Sequence, residues 1–91
     1  MRMNWKLTWD EPKRQATLHD RGLDFADAGE VFANMTQDIE DSRRDYGERR
    51  MLCFGVLRGR LILVGYVQRG QSRHIFSMRK ANGRGQARFG Q

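Results

Sequence analysis

The chain has 91 residues, 38% hydrophobic and 31% charged, with a formal net charge of +6. That length suits one domain, residues 1–91, with a core large enough to fold but not generous. The single cysteine, Cys53, excludes an internal disulfide, and no run approaches the ~18 apolar residues of a membrane helix.

With no secretory signal at the start of the chain, the expectation is a soluble, cytoplasmic protein in a reducing compartment. The charge is divided unevenly. Residues 1–48 carry seven basic and eleven acidic side chains, a net of −4, whereas residues 49–91 carry ten basic and no acidic ones. Fourteen of the seventeen basic residues are Arg, whose planar fork suits bidentate phosphate contacts better than Lys does. A basic half of this kind points to an anionic partner, either nucleic acid or an acidic protein.

In chain order, residues 5–9 alternate and carry Trp5 and Trp9, the pattern of a short strand. Asp10 is placed as the N-cap of a helix that runs to Arg21 and stops at Gly22. Its apolar stripe, Ala16 and Leu18, is thin, so the helix is expected on the surface, held at one edge. Asp24 can cap a second helix, with Leu23 and Ala28 as a hydrophobic staple. There Phe25, Ala28, Val31 and Phe32 form a buried face directed at the sheet. Residues 33–46 are polar and charge-dense and read as an exposed loop.

A β-meander comes next. The apolar run 51–57, the turn Arg58-Gly59, the run 60–67, the turn-forming residues 68–72 and the alternating run 73–78 give three antiparallel strands. In the last of them the alternation puts Arg73, Ile75, Ser77 and Arg79 on one face, and His74, Phe76, Met78 and Lys80 on the other. Cys53 reads as a small buried hydrophobe. Residues 81–89 suggest a short final helix weakened by Gly83 and Gly85. The expected fold is α+β, with two N-terminal helices on an antiparallel sheet of about four strands and a short C-terminal helix.

Five stretches, WDEPK (9–13), RGLDFADAGEVF (21–32), GERR (47–50), VQRG (67–70) and RHIFSMRKAN (73–82), occur in an order and spacing that carry more than any one of them. Together they resemble the BrnT-type toxins of bacterial type II toxin–antitoxin systems, small ribonucleases related in fold to RelE. The resemblance implies RNA cleavage that arrests translation, and neutralisation by a BrnA-like antitoxin with a ribbon-helix-helix DNA-binding domain. It further implies a heterotetramer of two toxins and two antitoxins that reaches operator DNA through the antitoxin. The chain departs from the family pattern at Asp20-Arg21-Gly22, where the family usually shows Lys-His-Gly. It departs again at Gly83-Arg84-Gly85, where the family usually reads Lys-Arg-Glu. These departures define an alternative, a catalytically weakened binding module that acts in the antitoxin–DNA autorepression complex.

Cleaving RNA without a metal requires a base for the 2′-hydroxyl proton, cations on the scissile phosphate and an acid for the leaving oxygen. Arg49 precedes the first meander strand, while Ser77 and Arg79 share a face of the third. These groups are expected to converge on one phosphate, against the plainer reading of a solvated sheet face. Glu48 is either a general base or the salt-bridge partner of a nearby arginine. Lys13, matched within WDEPK, is expected to reach the site from the first helix. Arg50, Arg73, Lys80, Arg84 and Arg88 are expected RNA contacts, the last two alternatively antitoxin contacts. His19 and His74 are acid–base candidates by chemistry alone. No metal-ligand spacing, P-loop or dinucleotide fingerprint is present, so no cofactor is expected.

Overall fold

A computed structural model describes residues 5–34, 36–42 and 47–81. Strand β1 (Lys6–Trp9) leads into helix α1 (Glu11–Arg21). Asp10 caps α1 by accepting from the Lys13 N–H, and the Gly22 N–H closes the other end on the Leu18 carbonyl. None of its residues is buried, in keeping with the thin apolar stripe. A clamp holds it in place instead. The Arg14 guanidinium donates to both Asp24 carboxylate oxygens, at 2.7 and 3.0 Å, and to Glu11 at 2.7 Å.

Asp24 also accepts from the Ala26 N–H and so caps the next helical segment. The expected second helix is a 3-10 turn, Phe25–Asp27, running directly into a short α2, Ala28–Phe32. Phe25, Ala28 and Val31 are fully buried, as expected, against Cys53, Val64, Ile75 and Met78. Each large apolar side chain buried this way contributes about 1.5–3 kcal/mol. Burial first, then the Asp38 side chain, pushes the Cys53 thiol up to about 12; it is a protonated core residue.

The sheet has five strands in the order β1-β5-β4-β3-β2, one more than expected, and it is mixed. The added strand is β2 (Gln37–Asp41), within the stretch that reads as a loop. It pairs antiparallel with β3 (Arg50–Leu57), and its charged residues are what an edge strand tolerates. Strands β3, β4 (Arg60–Arg69) and β5 (Ser72–Lys80) form the meander. At the first hairpin both turn residues have positive φ, 50° at Arg58 and 83° at Gly59, the geometry of a tight two-residue turn. Strand β1 pairs parallel with the first half of β5, so the sheet is not purely antiparallel. The expected helix over 81–89 lies beyond the described residues, apart from Ala81.

One irregularity resets the faces of β5. Tyr66 pairs with Ile75 and Gly65 with Ser77, leaving Phe76 as an extra, unpaired residue. Strict alternation fails here. Arg73, Ile75 and Met78 face the 3-10 turn and α2, whereas His74, Phe76, Ser77 and Arg79 face the other side. Gly65 makes room for this. A Cβ there would stand 2.6 Å from the Phe76 ring and would also overlap the Ser77 hydroxyl. On that second face Phe54, Leu63 and Ala81 form a smaller apolar cluster with Ile39, Leu52 and Leu61.

Candidate active site

Where α1 begins, its first turn and the second face of the sheet enclose a cleft of about 190 Å³. Asp10 and Lys13 come from the helix start, Glu48 and Arg50 from the entry to β3, and Arg69 from the end of β4. His74 and Phe76 come from β5. The register explains the convergence. Arg50 pairs with Val67 and Val67 with His74, so three strands ~4.8 Å apart bring these residues abreast. The Arg50 guanidinium lies 4.4 Å from the Phe76 ring centroid, a cation–π contact made possible by the bulge.

Glu48 is held by both arms of Arg69, which donates from Nε at 3.0 Å and from Nη2 at 2.8 Å. That pair lowers the Glu48 carboxyl below its ordinary value and raises Arg69. His74 stands opposite Thr8 of the parallel strand, with Nδ1 2.8 Å from the Thr8 hydroxyl. Among the described residues, Nε2 has no hydrogen-bond partner. Burial first, then the positive charge of Arg69, pulls the His74 pKa below 6.5, partly opposed by Glu48 and Asp10. These surroundings favour the neutral imidazole. In one small volume the cleft holds an imidazole, two carboxylates, Asp10 and Glu48, and three cationic side chains, Lys13, Arg50 and Arg69. Such a set can accept a proton and hold a phosphate.

Of the residues expected from sequence, Lys13, Glu48 and Arg50 meet in this cleft, and His74 joins them. Ser77 lies next door, in a hollow that shares Lys13 and Phe76 with the cleft. Arg79 is exposed on the same face as Ser77, opposite Leu63. Arg49 does not converge with it. Strand β4 separates β3 from β5, and Leu63 lies four residues, ~13 Å, along β4 from the level of Arg50. Arg49 instead pairs with Glu40 at 3.5 Å. Arg73 faces α2, its guanidinium 4.2 Å from the Trp5 ring, 4.6 Å from Phe32 and 4.3 Å from Tyr66. Lys80 lies at the far end of β5, and His19 is exposed beside Asp20. Arg84 and Arg88, with Gly83 and Gly85, fall outside the described residues. Sequence reading missed Arg69 and Thr8 as site residues; the pairing that brings them in is non-local.

Among the described residues, no group of three or more His, Cys, Asp or Glu side chains is arranged to hold a metal ion. Nor is any helix among them long and apolar enough to cross a membrane. A family model described as the ribonuclease toxin, BrnT, of type II toxin–antitoxin systems matches residues 9–84. The chain belongs to the BrnT family. No curated protein matches its sequence. As a BrnT toxin, it is a ribonuclease whose substrate is RNA and whose partner is an antitoxin. The matched residues span the whole cleft, from Asp10 to Phe76.

Proposed function

We propose that this BrnT chain cuts RNA in the cleft beside His74 by internal transphosphorylation, using side chains alone. The His74 Nε2 takes the 2′-hydroxyl proton, and the freed oxygen attacks the adjacent phosphorus. Arg50 and Lys13 carry the charge that builds on the phosphate, and the 5′-oxygen leaves with a proton from the Lys13 ammonium. The products are a 2′,3′-cyclic phosphate and a 5′-hydroxyl. Glu48 and Arg69 form a positioning pair that fixes the cleft's rim, and within it the Arg69 charge is the member that favours the neutral imidazole. Ser77 and Arg79, beyond Phe76 on the same face, take the neighbouring phosphate. The observation that carries this reading is the convergence of His74, Arg50, Glu48, Arg69 and Lys13 from four separate elements.

Cutting RNA inhibits translation in the bacterial cytoplasm. The neutralising antitoxin is BrnA-like, carries a ribbon-helix-helix DNA-binding domain and joins the toxin as a two-plus-two heterotetramer on operator DNA. The test is incubation of the purified chain with RNA in excess EDTA, with the product ends identified. Cyclic-phosphate ends in EDTA support the reading. Intact RNA, together with tight antitoxin binding and no growth arrest on induction, would instead identify a weakened module that serves the repressor complex.

A further inference from the structure

Three hollows succeed one another along α1, two between the helix and β5 and the third past its C-terminal end, beside the β3–β4 hairpin. The cleft is the first. The second, about 240 Å³, runs beside Thr17, Asp20 and Ser77, and shares Lys13 and Phe76 with the cleft. The third, about 310 Å³, opens past Gly22 and shares Arg21 with the second. Arg21 is fixed at that junction because its Nη1 donates to the Met78 carbonyl at 2.9 Å. Shared side chains thus link the three hollows in sequence. The last link passes round the edge of β5 at Arg21, because Leu57, Ile62 and Lys80 of the third hollow lie on the opposite face of the sheet from His74 and Ser77.

Charge along the track is not uniform. The cleft sets Lys13, Arg50 and Arg69 against two carboxylates, Asp10 and Glu48. The third hollow sets Arg21, Arg58, Arg60 and Lys80 against Asp27 alone. Among the described residues, the side chains of Arg60 and Lys80 have no hydrogen-bond or ion-pair partner. Arg58 reaches Asp27 and Glu30 only at 3.5 and 3.4 Å, in pairs that are largely solvated and easily exchanged for a phosphate. The most cationic part of the track therefore lies remote from His74.

Length fits a nucleic-acid strand. Lys13 and Arg21 are eight residues apart on α1, a rise of about 12 Å. That spans about three or four nucleotides at ~3.4 Å each when stacked, and fewer when extended. We infer that the third hollow is a remote phosphate subsite for the RNA strand, several nucleotides from the scissile bond, with the strand following α1 and turning round the β5 edge at Arg21. The inference rests on the ribonuclease reading. RNA is favoured over an acidic peptide of the antitoxin because the hollow continues into the cleft through shared side chains.

The test is binding of a 2′-O-methyl RNA of about twelve nucleotides, which cannot be cut, to the full chain and to an Arg60→Ala, Lys80→Ala double variant over a range of salt. Both residues are exposed, so the variant folds, which circular dichroism checks. The inference predicts about tenfold weaker binding and a log–log salt slope shallower by about 1.4, two phosphates at about 0.7 each. An RNA of about three nucleotides should bind both proteins alike. An unchanged slope on the long RNA overturns the subsite, whatever the cleavage assay shows. A loss of antitoxin affinity with RNA binding intact also overturns it and assigns the hollow to the protein partner. Failure of cleavage with the slope change present would refute the chemistry proposed above, and leave the RNA track standing.

Discussion

Arg50 and Arg73 make an instructive pair, because each is a strand arginine stacked on aromatic rings and each is used differently. They lie on opposite faces of one sheet. Arg73 is enclosed by three rings, those of Trp5, Phe32 and Tyr66, and its Nε is spent on the Gln68 side-chain oxygen at 2.9 Å. Its cation is structural, joining β1, α2 and β4. Arg50 rests on the Phe76 ring at the wall of a cleft beside His74. A guanidinium so placed lines the cleft, where a phosphate can reach it. Local surroundings, and not residue type, divide scaffold from site.

The contrast can be broken by substitution. The largest expected effect is on catalysis: His74→Gln should lower kcat/KM on RNA by about 10²–10⁴-fold, the usual range for losing a general base. Its urea midpoint should stay close to that of the parent. Arg73→Met should do the reverse. Losing cation–π contacts with three rings should cost about 2 kcal/mol in urea unfolding, while cleavage per folded molecule is retained at low temperature. Gly65→Ala joins the two regions. The added methyl pushes Phe76 and Ser77 aside, so about 1–3 kcal/mol of stability should be lost together with activity.

The smallest effect is on pH dependence. The His74 pKa lies below 6.5, and only the neutral imidazole accepts a proton. The acid limb of the rate should therefore lie at lower pH than an ordinary imidazole would place it. Arg69→Met removes a cation that depresses His74 and unmasks Glu48, which raises it, so the acid limb should move upward. A limb that moves downward, or not at all, would separate His74 from the rate.

The caps of α1, the burial of Phe25, Ala28 and Val31, and the three-strand meander could be read directly from the sequence, because each depends on local chemistry. Strand β2 could not. In Gln37–Asp41 only Ile39 interrupts the polar run, and an edge strand needs little more apolar content than that. The parallel pairing of β1 with β5 joins residues 66 apart and leaves no local trace. The bulge at Phe76 had the widest consequences. One extra residue inverted the expected face of everything before it in β5, separating Arg73 from Ser77 and Arg79 and bringing His74 round to join them. The strong division of charge along the sequence also proved misleading in space. Glu48 pairs with Arg69, Glu40 with Arg49, and Asp27 and Glu30 with Arg58, so the acidic half neutralises part of the basic half. Lys13, Glu48 and Arg50, singled out by charge and motif, do come together in the candidate cleft, whereas the nearness of Arg69 and Thr8 to it needed the register.

The most direct test of the account is kcat/KM for a short RNA in EDTA at pH 7, measured for the parent chain and for His74→Gln. Cleavage by the parent, reduced about 10²-fold or more in the variant with its fold intact, is the predicted result. Equal cleavage by the two proteins would contradict it and move the chemistry out of the cleft.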